Sequence, residues 1–183
     1  MIRLFVGLDL PKEIKEHLYS LRGGLEHALW REMERMHLTL RFIGNVEEDQ
    51  ADEILRELKY VRFPAFHLTF KGLGYFDVAN VPHHLWVGVD NDKILDEMHD
   101  KIDNALKKAG VAQQERFKFK PHVTIAKLQG TTMDELFKYI TANNLFKTKP
   151  FLVENFTLFA SIARENGEGK YYKPQEVYPL SLV

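Results

Sequence analysis

The chain has 183 residues, 45% of them hydrophobic and 28% charged, with a formal net charge of −1; this is the composition of one ordinary globular unit, not of a basic coat for duplex nucleic acid. Zero cysteines exclude a disulfide scaffold, a thiol nucleophile and thiolate metal sites. No apolar run is long enough to span a bilayer, and Met1-Ile2-Arg3-Leu4-Phe5-Val6-Gly7 enters a strand pattern without a signal-peptide layout, so a cytoplasmic location is expected.

In chain order, Ile2 to Asp9 reads as a buried strand and Pro11 as the first turn of a helix. That helix is expected from Lys12 to about His27, with Ile14, Leu18, Leu21 and Leu25 inward and Gly23-Gly24 as an early stop. A strand over His37-Leu38-Thr39-Leu40-Arg41-Phe42-Ile43 follows, closed by Gly44-Asn45. Glu47, Glu48 and Asp49 open a second helix that buries Ala51, Ile54, Leu55 and Leu58. Phe66 to Tyr75 reads as a strand and Phe76 to Pro82 as a loop.

The order then restarts. Leu85-Trp86-Val87-Gly88-Val89-Asp90 echoes Leu4-Phe5-Val6-Gly7-Leu8-Asp9. A helix with Ile94, Leu95, Met98, Ile102, Ala105 and Leu106 inward stops at Gly110. The strand Pro121-His122-Val123-Thr124-Ile125-Ala126-Lys127 comes next. Thr131-Thr132 with Asp134 and Glu135 opens a helix carrying Leu136, Phe137 and Ile140. Phe151 to Ala163 and Tyr171 to Val183 read as closing strands. Strand-helix-strand-helix-strand thus occurs twice, at an offset of roughly 80 to 90 residues. The expected fold is α+β: a single domain of two lobes, internal repeats over about 1–80 and 81–183, with mostly antiparallel sheets lining a central cleft.

Three of the eight histidines, His37, His67 and His122, are followed two places later by threonine. Residues i and i+2 of a strand share a face, so each pair presents an imidazole beside a hydroxyl. His37 and His122 fall on corresponding strands of the two copies. His67 lies on another strand, opposite Asn155 in the repeat, and is read as a decoy. His83-His84 is read as a solvated loop end, and His17, His27 and His99 as helix-surface residues. No phosphate loop, nucleophile elbow or zinc-protease motif occurs.

Histidine titrates near pH 6.5, so a facing pair is expected to hold one neutral and one protonated ring. One ring can then take a proton from water while the other gives one to a departing oxygen. The hydroxyls of Thr39 and Thr124 can hold charged non-bridging oxygens. Phosphate-ester cleavage uses all four groups.

Two His-x-Thr-hydrophobic motifs in a duplicated strand-helix frame resemble the 2H phosphoesterase superfamily. The likeness is strongest to its RNA 2′,3′-cyclic phosphodiesterase family, historically called 2′-5′ RNA ligases. It extends over Arg3-Leu4-Phe5-Val6 with Pro11, both histidine strands, the Phe66 and Trp86 strands and the late Ser161…Gly169…Tyr171 pattern. The resemblance implies hydrolysis of an RNA-terminal 2′,3′-cyclic phosphate to a 2′-phosphate, without metal or other cofactor, and limited reversible joining of 2′-5′ linkages. Single-stranded RNA ends or 2′,3′-cyclic nucleotides are the implied partners, with no membrane and a monomeric chain expected. Carried over, His122 is the general base, His37 the general acid, and Thr39 and Thr124 hold the phosphate; sequence symmetry leaves the acid-base direction open.

Lys127 stands where the family usually has arginine. It keeps the charge and loses the planar fork, so it is expected to contact phosphate loosely or merely to flank a strand end. Arg41 is expected on the His37 face as a substrate contact or a rim charge. Phe42, Phe76 and Tyr171 are candidate base platforms or packing residues. A phosphodiesterase for small cyclic nucleotides and a non-catalytic binder of phosphorylated RNA ends are the alternatives.

Overall fold

The computed structural model describes residues 1–112, 118–167 and 169–182. Arg116, expected in a basic cluster with Lys118, Lys120 and Lys127, and Val183 lie outside them. The described chain runs β1 (Ile2–Asp9), α1 (Lys12–Tyr19), β2 (Ala28–Trp30), β3 (His37–Val46), α2 (Glu48–Leu58), β4 (Phe66–Leu68) and β5 (Phe70–Val78). It continues through β6 (Val81–Val89), α3 (Lys93–Lys108), β7 (Val123–Leu128), α4 (Met133–Ala142), β8 (Phe151–Val153), β9 (Asn155–Ala163) and β10 (Lys170–Pro179). Among the described residues, no helix is long and apolar enough to cross a membrane.

Every strand pair is antiparallel. One sheet has the order β10-β9-β1-β3, the other β2-β7-β6-β5, and β4 pairs with β8 in a separate ribbon. Each sheet therefore takes strands from both sequence copies. The exchange happens at the ribbon, where Phe66 faces Val153 and Leu68 faces Phe151. Thr69 and Glu154 then break the long strands expected over Phe66–Tyr75 and Phe151–Ala163. Past the break, β5 enters the sheet of the second copy and β9 that of the first. His37 and His122, like Phe66 and Phe151, are 85 positions apart. That register moves the counterpart of His67 from Asn155 to Leu152, its partner in the ribbon, and leaves His67 exposed.

The helices bury the stripes that the periodicity marks: Ile14 and Leu18, then Ala51, Ile54 and Leu58, then Leu95, Met98, Ile102 and Leu106. α4 opens on a reciprocal capping box, Thr132 accepting from the Glu135 amide while the Glu135 carboxylate accepts from the Thr132 amide. Three expectations are corrected. α1 ends at Tyr19 instead of about His27, because Gly23 and Gly24 take positive φ, and His27 sits in a turn at φ 60°. Phe76–Pro82 is no loop but a tight hairpin: Ala79 (φ 51°) and Asn80 (φ 63°) make a two-residue turn of the hand that suits strand twist. Phe137 is 47% exposed, not inward.

Candidate active site

β1 aligns β3 through Gly7 opposite Thr39 and Val6 opposite Arg41, so Leu40 has no partner on β1. The extra residue is a bulge that inverts the alternation beyond it. Leu40 and Arg41 are both buried, and Phe42, 59% exposed, rejoins the face of His37 and Thr39. Arg41 is thereby corrected: it points behind the sheet, 4% exposed, and its Nε donates to Asp103 Oδ1 of α3 at 2.8 Å.

The second copy repeats the device. Trp86 of β6 faces Thr124, Leu85 faces Ala126 and His84 faces Lys127, leaving Ile125 unpartnered. Ile125 and Ala126 are both buried. Lys127 therefore emerges, exposed, on the face of His122 and Thr124, where strict alternation would have sent it to the other side.

Each histidine is pinned in the same way. His37 Nδ1 lies 2.9 Å from the carbonyl oxygen of Arg35, and His122 Nδ1 lies 2.6 Å from that of Lys120. A carbonyl only accepts, so both Nδ1 atoms carry hydrogen and Nε2 is the reactive nitrogen of each ring. His37 Nε2 is 2.9 Å from Thr39 Oγ1, which donates to it while the ring is neutral. Aromatic side chains wall both rings. Phe5 and Tyr172 flank His37 with centroids at 4.9 and 4.8 Å; Phe76 and Trp86 flank His122 at 4.9 and 5.8 Å.

Burial lowers both pKa values. His37 falls from near 6.5 to about 4, mainly by desolvation and further by Arg31, against the opposing Arg35 carbonyl bond and Asp9. His122 is also lowered, first by desolvation and then by the Lys120 charge, against its carbonyl bond. The expectation of one protonated ring at neutral pH is thus corrected for the free protein: the walls that orient the imidazoles also keep both neutral.

Several residues of this face were not legible in the sequence. Tyr172, not Tyr171, meets His37; it lies opposite Ser161, and neighbouring strand residues face opposite ways, leaving Tyr171 on the far face of β10. Arg31 follows β2, its backbone N–H donating to Ile125 O of β7 at 2.8 Å, and its charge acts on both His37 and His84. His83 and His84 belong to β6, not to a loop end, with Nδ1 atoms 2.9 Å apart. Burial, then His83, lowers His84 to about 4. His99 is no surface residue either, since its ring stacks on Phe119 at 4.3 Å. No group of three or more histidine, aspartate or glutamate side chains is placed to hold a metal among the described residues.

Trp86 owes its position to Gly74, its partner on β5. A Cβ there would come within 2.3, 2.4 and 2.7 Å of the indole ring. Gly74→Ala is expected to push the indole off its strand, at a cost of about 1–3 kcal/mol. Thermal unfolding will read this as a lowered Tm.

Comparison with known proteins gives this geometry a family. A model of the 2′-5′ RNA ligase superfamily matches residues 10–164. The chain is 36% identical over 134 residues to the RNA 2′,3′-cyclic phosphodiesterase of Thermotoga maritima, covering 70% of this chain and 71% of that one. To the RNA 2′,3′-cyclic phosphodiesterase of Aquifex aeolicus it is 29% identical over 147 residues, covering 75% and 78%. In fold it is similar to Escherichia coli LigT complexed with 3′-AMP, at a TM-score of 0.78 and 24% identity over 98% of both chains. The chain belongs to the 2′-5′ RNA ligase superfamily and is a 2H phosphoesterase.

Proposed function

We propose that this phosphoesterase hydrolyses the 2′,3′-cyclic phosphate at an RNA end to a 2′-phosphate, without a metal ion. The observation that carries the reading is the matched pair of imidazoles. Each has Nδ1 committed to a carbonyl two residues earlier and Nε2 left for chemistry, with a threonine two residues on. His122 takes a proton from water as the water oxygen attacks phosphorus. The P–O3′ bond breaks as His37 delivers its proton to O3′. Thr39 and Thr124 donate to the non-bridging oxygens, and Lys127 adds charge on the His122 side.

In the free protein burial holds both imidazoles below the ordinary histidine range and neutral, so His37 gains its proton as substrate binds. The bound phosphate brings this about. Its negative charge beside Thr39 raises the His37 pKa, and protonated Nε2 ceases to accept from Thr39, freeing that hydroxyl for the phosphate. With a 5′-hydroxyl in place of water, the same attack on the cyclic phosphate breaks P–O3′ and leaves a 2′-5′ linkage, and the reverse of that step cleaves it, a limited ligation. Incubation of a short RNA ending in 2′,3′-cyclic phosphate with excess EDTA is expected to give full turnover. Loss of turnover restored by a divalent ion would overturn the metal-free reading, and binding without turnover would leave a non-catalytic module.

A further inference from the structure

Beside His37 lie two guanidinium groups that the hydrolysis does not use. Arg31 and Arg35 flank the short turn into β3, and burial, then the charge of Arg35, lowers the pKa of Arg31. Neither has a carboxylate within ion-pair distance among the described residues. Glu32, between them in sequence, is taken instead by Arg164, whose Nη1 and Nη2 reach its two oxygens at 3.2 and 2.7 Å. Arg35 Nη2 donates to the Tyr172 hydroxyl at 3.3 Å, and its Nε is buried with no hydrogen-bond partner. The Arg35 carbonyl holds His37 and the Tyr172 ring meets it edge-on, so the pair is tied to the reacting end of the face. Two like charges left close together and half-buried cost stability unless an anion joins them.

We propose that Arg31 and Arg35 form a second anion site, which seats the phosphate on the 5′ side of the reacting nucleotide. This inference rests on the reading above, with His37 serving O3′. C4′ is bonded to C3′, and C5′ with its phosphate is bonded to C4′, so an RNA strand leaves the reacting ribose on the O3′ side. The guanidinium forks match the paired oxygens of a phosphodiester or phosphate monoester. The site therefore selects RNA ends and 5′-phosphorylated cyclic nucleotides over cyclic nucleosides that end in a 5′-hydroxyl.

The test compares one 2′,3′-cyclic nucleotide with and without a 5′-phosphate at fixed ionic strength. In the wild type kcat/KM is expected to be at least tenfold higher with the 5′-phosphate, mostly through KM, and the ratio to narrow as salt is raised. Arg31→Gln and Arg35→Gln are each expected to cut that ratio fivefold or more, and Arg35→Lys to restore part of it. If the glutamine variants do not fold by circular dichroism, the wild-type ratio, its salt dependence and Arg35→Lys decide. A wild-type ratio near one, or a ratio unmoved by the variants, overturns the second site while leaving the phosphodiesterase reading standing. Turnover of neither substrate removes that reading, and this inference with it.

Discussion

His37→Ala and His122→Ala are each expected to lower kcat on a cyclic-phosphate RNA end by about 10²–10⁴-fold, the range for loss of one positioned acid or base. Steady-state assays of variants whose melting temperatures stay near wild type will read the loss as chemistry. The two losses should not add, because the rings act on one proton-transfer event. A phosphodiester with an aryl leaving group separates their roles. Such a group departs without being protonated, so it is expected to rescue His37→Ala and not His122→Ala. Rescue of His122→Ala alone would reverse the acid and base assignments and keep the pair. Rescue of both, or loss confined to KM, would contradict acid-base work by these side chains.

Raising the pH is expected to lower kcat/KM steeply from below neutrality. The reacting form has one proton shared between the two rings, and both folded pKa values lie below the ordinary 6.5, His37 at about 4. Above the upper of the two, that form declines tenfold per pH unit, so kcat/KM falls about 100-fold between pH 7 and 9. Below the lower one both rings are protonated, no base remains, and the rate falls again. The profile is a bell centred on the acid side. Bound phosphate raises the pKa values, so kcat should stay level to a higher pH than kcat/KM. A kcat/KM that rises through neutrality would contradict the desolvated imidazoles.

The period-two pattern of His37-Leu38-Thr39-Leu40 and of His122-Val123-Thr124-Ile125 carries the site in the sequence, because face-sharing on a strand is local. The register of the repeat separated His67 from them for the same reason. What comes after each motif was not legible. A bulge is set by the neighbouring strand, and it is the bulges at Leu40 and Ile125 that send Arg41 inward to Asp103 and bring Lys127 outward. Alternation alone predicts the opposite for both. The Ala79-Asn80 turn lacks the Asn-Gly signature, so the hairpin beneath Phe76 read as a loop. Tyr172 reaches His37 only by a tertiary contact from β10, and Arg31 and Arg35 are seated by contacts with β7 and Tyr172, at sequence separations that no local pattern spans. The wall of aromatic rings has the same origin, and with it the lowered pKa values: burial belongs to the fold, not to the motif.

In the proposed reaction water attacks phosphorus and O3′ departs. It is tested most directly by turning over a cyclic-phosphate RNA end in ¹⁸O-labelled water and resolving the product by ³¹P NMR. The expected product is a 2′-phosphate end whose phosphate carries one ¹⁸O. A 3′-phosphate end, or a product phosphate without the label, would contradict it.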